Sequence, residues 1–166
     1  MPKNIIYCYG SYQPLFNTMK NVTFEEGLPS NLNTVTNALI IVDDLMSELA
    51  GDSRLSSLFT KGSHHRNLSI IFIVQNIFHQ GKEMRNINLN SHYLTLYKNP
   101  RDKSQIMHLA RQMCPGKTKA FQEIFNDATS KPYSYLFVDL RPESDDRMRM
   151  RTGIFPPDEH YVYEAR

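Results

Sequence analysis

Short apolar runs alternate with helix-patterned polar stretches along the whole chain. Five runs rich in Ile, Val, Leu, Tyr and Phe read as strands: Asn4 to Tyr9, Ala38 to Val42, Ser69 to Gln75, His92 to Tyr97 and Ser134 to Asp139. Val22 to Gly27 reads as a further short strand. Runs of this kind between helices predict an α/β fold whose sheet is mostly parallel, buried and flanked by helices. Pro14 to Lys20 reads as a short helix with proline in its first turn. After the second run, Leu45, Met46, Leu49, Leu55, Leu58 and Phe59 recur at helical spacing, interrupted at Gly51-Asp52-Ser53, where Asp52 or Ser53 can cap a new segment. A helix beginning at Asp102 carries the stripe Ile106, Leu109, Ala110 and Met113 and is ended by Pro115-Gly116. Lys119 to Ala128 forms the next, through Phe121, Ile124 and Phe125. Beyond the polar turn Arg141 to Asp146, the alternation Arg147-Met148-Arg149-Met150-Arg151 predicts an edge strand with one basic face. With no linker, repeat or low-complexity segment, residues 1–166 read as one domain.

Composition narrows the picture. At 166 residues and 40% hydrophobic content there is material for one core. Nineteen Lys and Arg against 17 Asp and Glu give a net charge of +2, too weak to imply nucleic-acid binding by itself. Cys8 and Cys114 lack the spacing of a zinc site and read as reduced, structural thiols. The N-terminal run Ile5 to Tyr9 is too short for a signal-peptide core or a membrane span, so an intracellular protein without membrane contact is expected.

The chemistry concentrates where Ala38-Leu39-Ile40-Ile41-Val42 stops on Asp43-Asp44. A buried strand ending in paired acids has the form of a Walker B element: Asp43 would hold a water on Mg²⁺, and Asp44 would position or deprotonate the attacking water. The plainer alternative is two acids capping a helix at Leu45. Gln75, with Asn76 as second choice, ends the next strand, where an amide can bridge a γ-phosphate and the attacking water; otherwise it is a turn residue. Arg66, in Lys61-Gly62-Ser63-His64-His65-Arg66-Asn67, is the first candidate for a finger reaching a neighbouring subunit's nucleotide, and Arg85 the second, against the alternative of a solvated loop. Adjacent His64 and His65 cannot share a metal at helical spacing. Pro115-Gly116-Lys117-Thr118 imitates a phosphate loop, but Arg111 stands where its first glycine belongs and a helix precedes it.

Longer strings carry a resemblance. Tyr7-Cys8-Tyr9-Gly10 with Tyr12-Gln13-Pro14-Leu15, Glu26-Gly27-Leu28-Pro29, Ile41-Val42-Asp43-Asp44-Leu45-Met46, Leu58 to Asn67, Val74-Gln75-Asn76, Leu89-Asn90-Ser91-His92-Tyr93 and Lys98-Asn99-Pro100-Arg101-Asp102 together resemble the genome-packaging ATPase of Polinton/Maverick elements and adintovirus-like viruses. The similarity runs to Arg151-Thr152-Gly153-Ile154-Phe155. That family looks like a branch of the FtsK–HerA superfamily of RecA-like P-loop motors, which assemble as rings and pump double-stranded DNA into a capsid. The resemblance implies Asp43 and Asp44 as the Walker B acids, with Asp43 the metal-facing one, Gln75 as sensor and Arg66 as a possible finger. It also implies ATP and Mg²⁺ as cofactors, with a capsid portal or vertex and a homo-oligomeric ring as partners. The expected compartment is the host nucleus or cytoplasm, or the virion vertex.

The expected fold is therefore a RecA-like P-loop core lacking its first strand, phosphate loop and first helix, which in relatives precede the Ile5-Ile6-Tyr7 strand. The absent strand is implied to sit mid-sheet, between the sensor strand and the next. Without the loop this chain alone should bind ATP poorly. The second choice is a non-hydrolysing DNA- or capsid-binding remnant using Arg147, Arg149 and Arg151, with Gly81-Lys82-Glu83-Met84-Arg85 a candidate pore loop in the motor. A third is a metal-dependent nuclease built on Asp43, Asp44 and Asp139.

Overall fold

A computed structural model describes residues 2–46, 52–78 and 82–165, with the side chains of Lys61, Ser63 and His64 excepted. The expected helical contribution of Leu49, the interruption at Gly51, and the loop residues His79, Gln80 and Gly81 lie outside the described residues. The chain forms two compact units, Met1–Asn90 and Ser91–Arg166.

The first unit is an α/β fold built on β1 (Asn4–Tyr9), β2 (Thr23–Glu26), β3 (Ala38–Asp43) and β4 (Ser69–Ile73). The order is β2-β1-β3-β4 and every pair is parallel. Register explains the burial. Ile40 lies between Ile6 and Ile70, and Val42 between Cys8 and Phe72, so the even-numbered residues of three strands share one face. On that face Cys8, Ile40 and Val42 are sealed with Leu45, Leu55, Leu58, Met84 and Ile87. Burial pushes the Cys8 thiol up to about 12, which suits an inert core residue.

Helix α1 (Ser53–Ser57) supplies Leu55 to this core and runs through a π-helical turn, Leu58–Gly62, into α2 (Ser63–Arg66). Asp52 caps α1, accepting from the Arg54 amide at 2.8 Å. Helix α3 (Lys82–Asn90) turns Met84 and Ile87 inward, one helical turn apart. The segment expected to be a pore loop is thus helical from Lys82 onward, because Met84 is drawn into the core. The residues Pro14–Thr18 form a 3₁₀ turn whose Phe16 joins Tyr7, Tyr9, Tyr12 and Phe24 in an aromatic cluster on the sheet's other face.

The second unit departs from the expected parallel arrangement. Its strands β5 (Tyr93–Tyr97), β6 (Tyr135–Asp139), β7 (Met150–Thr152) and β8 (Tyr161–Tyr163) form a separate sheet, antiparallel throughout. Two helices, α4 (Ser104–Met113) and α5 (Thr118–Ala128), lie between β5 and β6. One helix between strands returns the chain to its starting edge and gives a parallel pair; a helical hairpin reverses it once more, so β6 runs against β5. Phe121, Ile124, Phe125 and Ala128, spaced i, i+3, i+4, i+7, are buried with Leu96, Leu109, Leu136 and Val138.

The tail is also corrected. Residues Asp146–Met148 form a 3₁₀ turn, and only Met150–Thr152 is a strand, paired on both sides rather than at an edge.

Candidate functional site

Parallel strands carry their ligand chemistry outside their carboxyl ends. In the first unit that rim is formed by Tyr9, Asp43 and Ile73, which are register partners on β1, β3 and β4. Asp43 closes β3, Asp44 follows it, and Gln75 leaves the same rim two residues beyond β4. Gln75 is solvent exposed. Asn76 serves the turn instead, its Oδ1 accepting from the Phe78 amide at 2.8 Å.

Asp43 is half-buried, and its Oδ2 accepts a hydrogen bond from the Tyr7 hydroxyl at 2.7 Å. Burial, and then the Asp43 carboxylate itself, push the Tyr7 phenol up to about 12. Asp44 is exposed and adopts φ +55°, a left-handed conformation that aspartate tolerates better than most residues. This turn aims the chain back so that Leu45 enters the core. How Asp44 stands to the following helix beyond Met46 lies outside the described residues.

Gly10 fixes the other side of the turn. Its amide donates to the Asp43 carbonyl at 3.2 Å, and a Cβ here would stand 2.5 Å from the Asp44 carbonyl oxygen. Neither partner is a flexible side chain that could yield. Gly10→Ala is therefore expected to cost about 1–3 kcal/mol by overpacking and to shift the amide resonances of Asp43 and Asp44. Urea denaturation with amide chemical shifts would check both effects, and an unchanged midpoint with unchanged shifts would refute the tight-approach reading.

The first unit does not bring Arg66 to this rim. Arg66 precedes β4 and so lies at the amino-terminal end of the sheet, where its Nη1 donates to the Leu32 carbonyl at 2.6 Å. Its own carbonyl accepts from the Asn37 amide at 3.0 Å, so the residue ties two connections together. Arg85 is exposed on α3.

In the second unit the expected chemistry becomes structural. Asp139 is 1% exposed, and its carboxylate accepts from the Arg141 amide and guanidinium at 3.0–3.1 Å and from Arg151 at 3.0 Å. The Arg141 hydrogen bonds hold its carboxyl down to about 2. A carboxylate so engaged offers little to a metal. Among the described residues no group of three His, Cys, Asp or Glu is placed to hold one.

The basic stripe is likewise occupied. Arg147 pairs with Asp145 at 2.9 Å, Arg149 with Asp146 at 2.7 Å, and Arg151 with Asp139. A shallow groove of about 350 Å³ nearby is lined by Lys117, Asp146, Arg147, Arg149 and Glu164, with both charge signs on its walls. Gly116-Lys117-Thr118 forms the turn between α4 and α5, with Gly116 at φ +82° and Lys117 donating to the Ala165 carbonyl at 2.9 Å. It terminates a helix.

Asp43 and Asp44 present carboxylates, the ligand type Mg²⁺ takes, at this rim, whereas among the described residues no glycine-rich turn follows a strand into a helix. The residues sequence reasoning missed at this site are Tyr7 and Gly10, whose roles follow from strand register and backbone approach rather than from any motif. Comparison with known proteins gives no match: no family model, no curated protein and no solved structure is similar to this chain.

Proposed function

We propose that this chain is the catalytic-core portion of an ATP-driven motor that packages double-stranded DNA, with its phosphate loop encoded elsewhere in the gene. What carries the reading is the rim itself: two carboxylates and an amide issuing from adjacent parallel strands at the edge where such sheets bind ligands. In this reading Asp43 orients Mg²⁺ through a bound water, Asp44 acts as base toward the attacking water, and Gln75 senses the γ-phosphate.

The free edges add support. Among the described residues β4 pairs only with β3, and its Ile71 and Ile73 are 47% and 46% exposed. Exposed isoleucines on an unpaired edge are a liability that proteins normally cover. An additional strand beside the sensor strand, the position the family resemblance assigns to the phosphate-loop strand, would pair that backbone edge. Among the described residues β5 likewise pairs on one side only. A RecA-like core, a homo-oligomeric ring, a capsid portal or vertex and an intracellular setting belong to the same proposal. Arg66 remains its candidate finger and would have to release the Leu32 carbonyl to serve a neighbour.

Nucleotide binding tests it. The chain alone is expected to bind Mg·ATP more weakly than about 1 mM, and the protein extended by its upstream segment at about micromolar Kd, a gain of roughly 4 kcal/mol. Isothermal calorimetry measures both. Micromolar binding by the chain alone, or an upstream frame without Gly-x-x-x-x-Gly-Lys-Ser/Thr, would overturn the proposal.

A further inference from the structure

We propose that Tyr7 is a positioning residue of the acid-pair site, fixing the Asp43 carboxylate so that Oδ1 is left to face a metal-bound water. The inference rests on the functional reading above and deepens it.

Three observations carry it. The Tyr7 hydroxyl meets Asp43 Oδ2 at 2.7 Å across neighbouring strands, a contact 36 residues apart in sequence that only the β1–β3 register creates. The ring is held by packing, because Tyr7 is 9% exposed and lies tilted against Phe16 at 5.1 Å and Phe24 at 5.6 Å between ring centroids. Tyr9, the direct register partner of Asp43, is engaged elsewhere, with its ring against Tyr12 and Phe16.

A buried, packed phenol therefore holds one carboxylate oxygen while the Gly10 amide holds the Asp43 backbone. That is the arrangement by which outer groups orient a metal-facing carboxylate. The phenol hydroxyl is the donor in this contact and the carboxylate the acceptor. A hydroxyl on Oδ2 also takes one of that oxygen's two lone pairs and favours one rotation of the Asp43 carboxylate. Among the described residues no other side chain is seen to donate to this carboxylate.

The experiment is Mg²⁺-dependent ATP hydrolysis by the extended protein carrying Tyr7→Phe, which keeps the ring and removes only the hydroxyl. Loss of such an outer group weakens a metal site about 10–100-fold. The expected result is a half-saturating Mg²⁺ concentration raised at least about tenfold, with kcat at saturating Mg²⁺ nearly restored. Thermal melting of both proteins is followed in parallel.

A lowered melting point with unchanged Mg²⁺ dependence would make Tyr7 a strand brace only and overturn the proposal, as would a kcat loss that excess Mg²⁺ does not relieve. If the unsubstituted extended protein shows no Mg²⁺-dependent hydrolysis, the functional reading fails and the assignment of Tyr7 falls with it.

Discussion

Replacing Asp139 by alanine is expected to destabilise the second unit by about 3 kcal/mol, the low end of the range for removing one partner of a buried ion pair. The carboxylate is sealed, but the side chains of Arg141 and Arg151 are 38% and 23% exposed and can regain water, which limits the cost. Asp139→Asn keeps the shape and one acceptor and should lose less. Acid has the same effect as the alanine variant in stages. Because the folded carboxyl is held down to about 2, its contribution is fully present above the unfolded value near 4 and is lost as pH falls from there through about 2. Urea denaturation of the whole chain, read through hydrogen exchange of the β6 amides, measures both. A loss below about 1 kcal/mol would show that the arginines do not depend on this anion.

Much of the first unit was legible because burial writes itself as apolar runs. β1 and β3 lie where Asn4 to Tyr9 and Ala38 to Val42 predicted them, and Asp52 caps its helix as expected. The direction of β5 and β6 was not legible, since apolar content marks a strand without marking its sense. That sense was decided by the two-helix connection, α4 and α5, whose existence was read but whose consequence was not drawn.

The arginines of the tail misled for a different reason. Period-two spacing suggested a bare basic face, yet a local signal pointed the other way. Three Asp-x-Arg triplets, Asp52/Arg54, Asp139/Arg141 and Asp145/Arg147, each fold so that the carboxylate accepts from the arginine's amide and its guanidinium together. That pattern predicts paired rather than available cations.

At the rim, Asp43 and Asp44 were legible as the stop of an apolar run. Tyr7 was not, because a contact across 36 residues requires the register. Arg66 was expected as a finger toward a neighbour's nucleotide, or else as part of a solvated loop, whereas in the first unit it ties the Leu32 turn to α2.

The second large effect concerns Asp44. Asparagine tolerates a left-handed backbone as aspartate does, so Asp44→Asn removes the charge without the strain that alanine would add at φ +55°. Stability should change by less than about 0.5 kcal/mol, as for an exposed surface position. Catalysis should not survive so well: removal of a general base costs about 10²–10⁴-fold. In the proposed role Asp44, one methylene shorter than glutamate, would have to hold its water close to the β3 rim. DNA-stimulated ATP hydrolysis by the protein with its upstream segment restored, compared with its Asp44→Asn variant, therefore tests the central claim most directly. The account predicts DNA-stimulated turnover that falls at least about 10²-fold on substitution with folding intact; turnover that persists undiminished in the variant would contradict it.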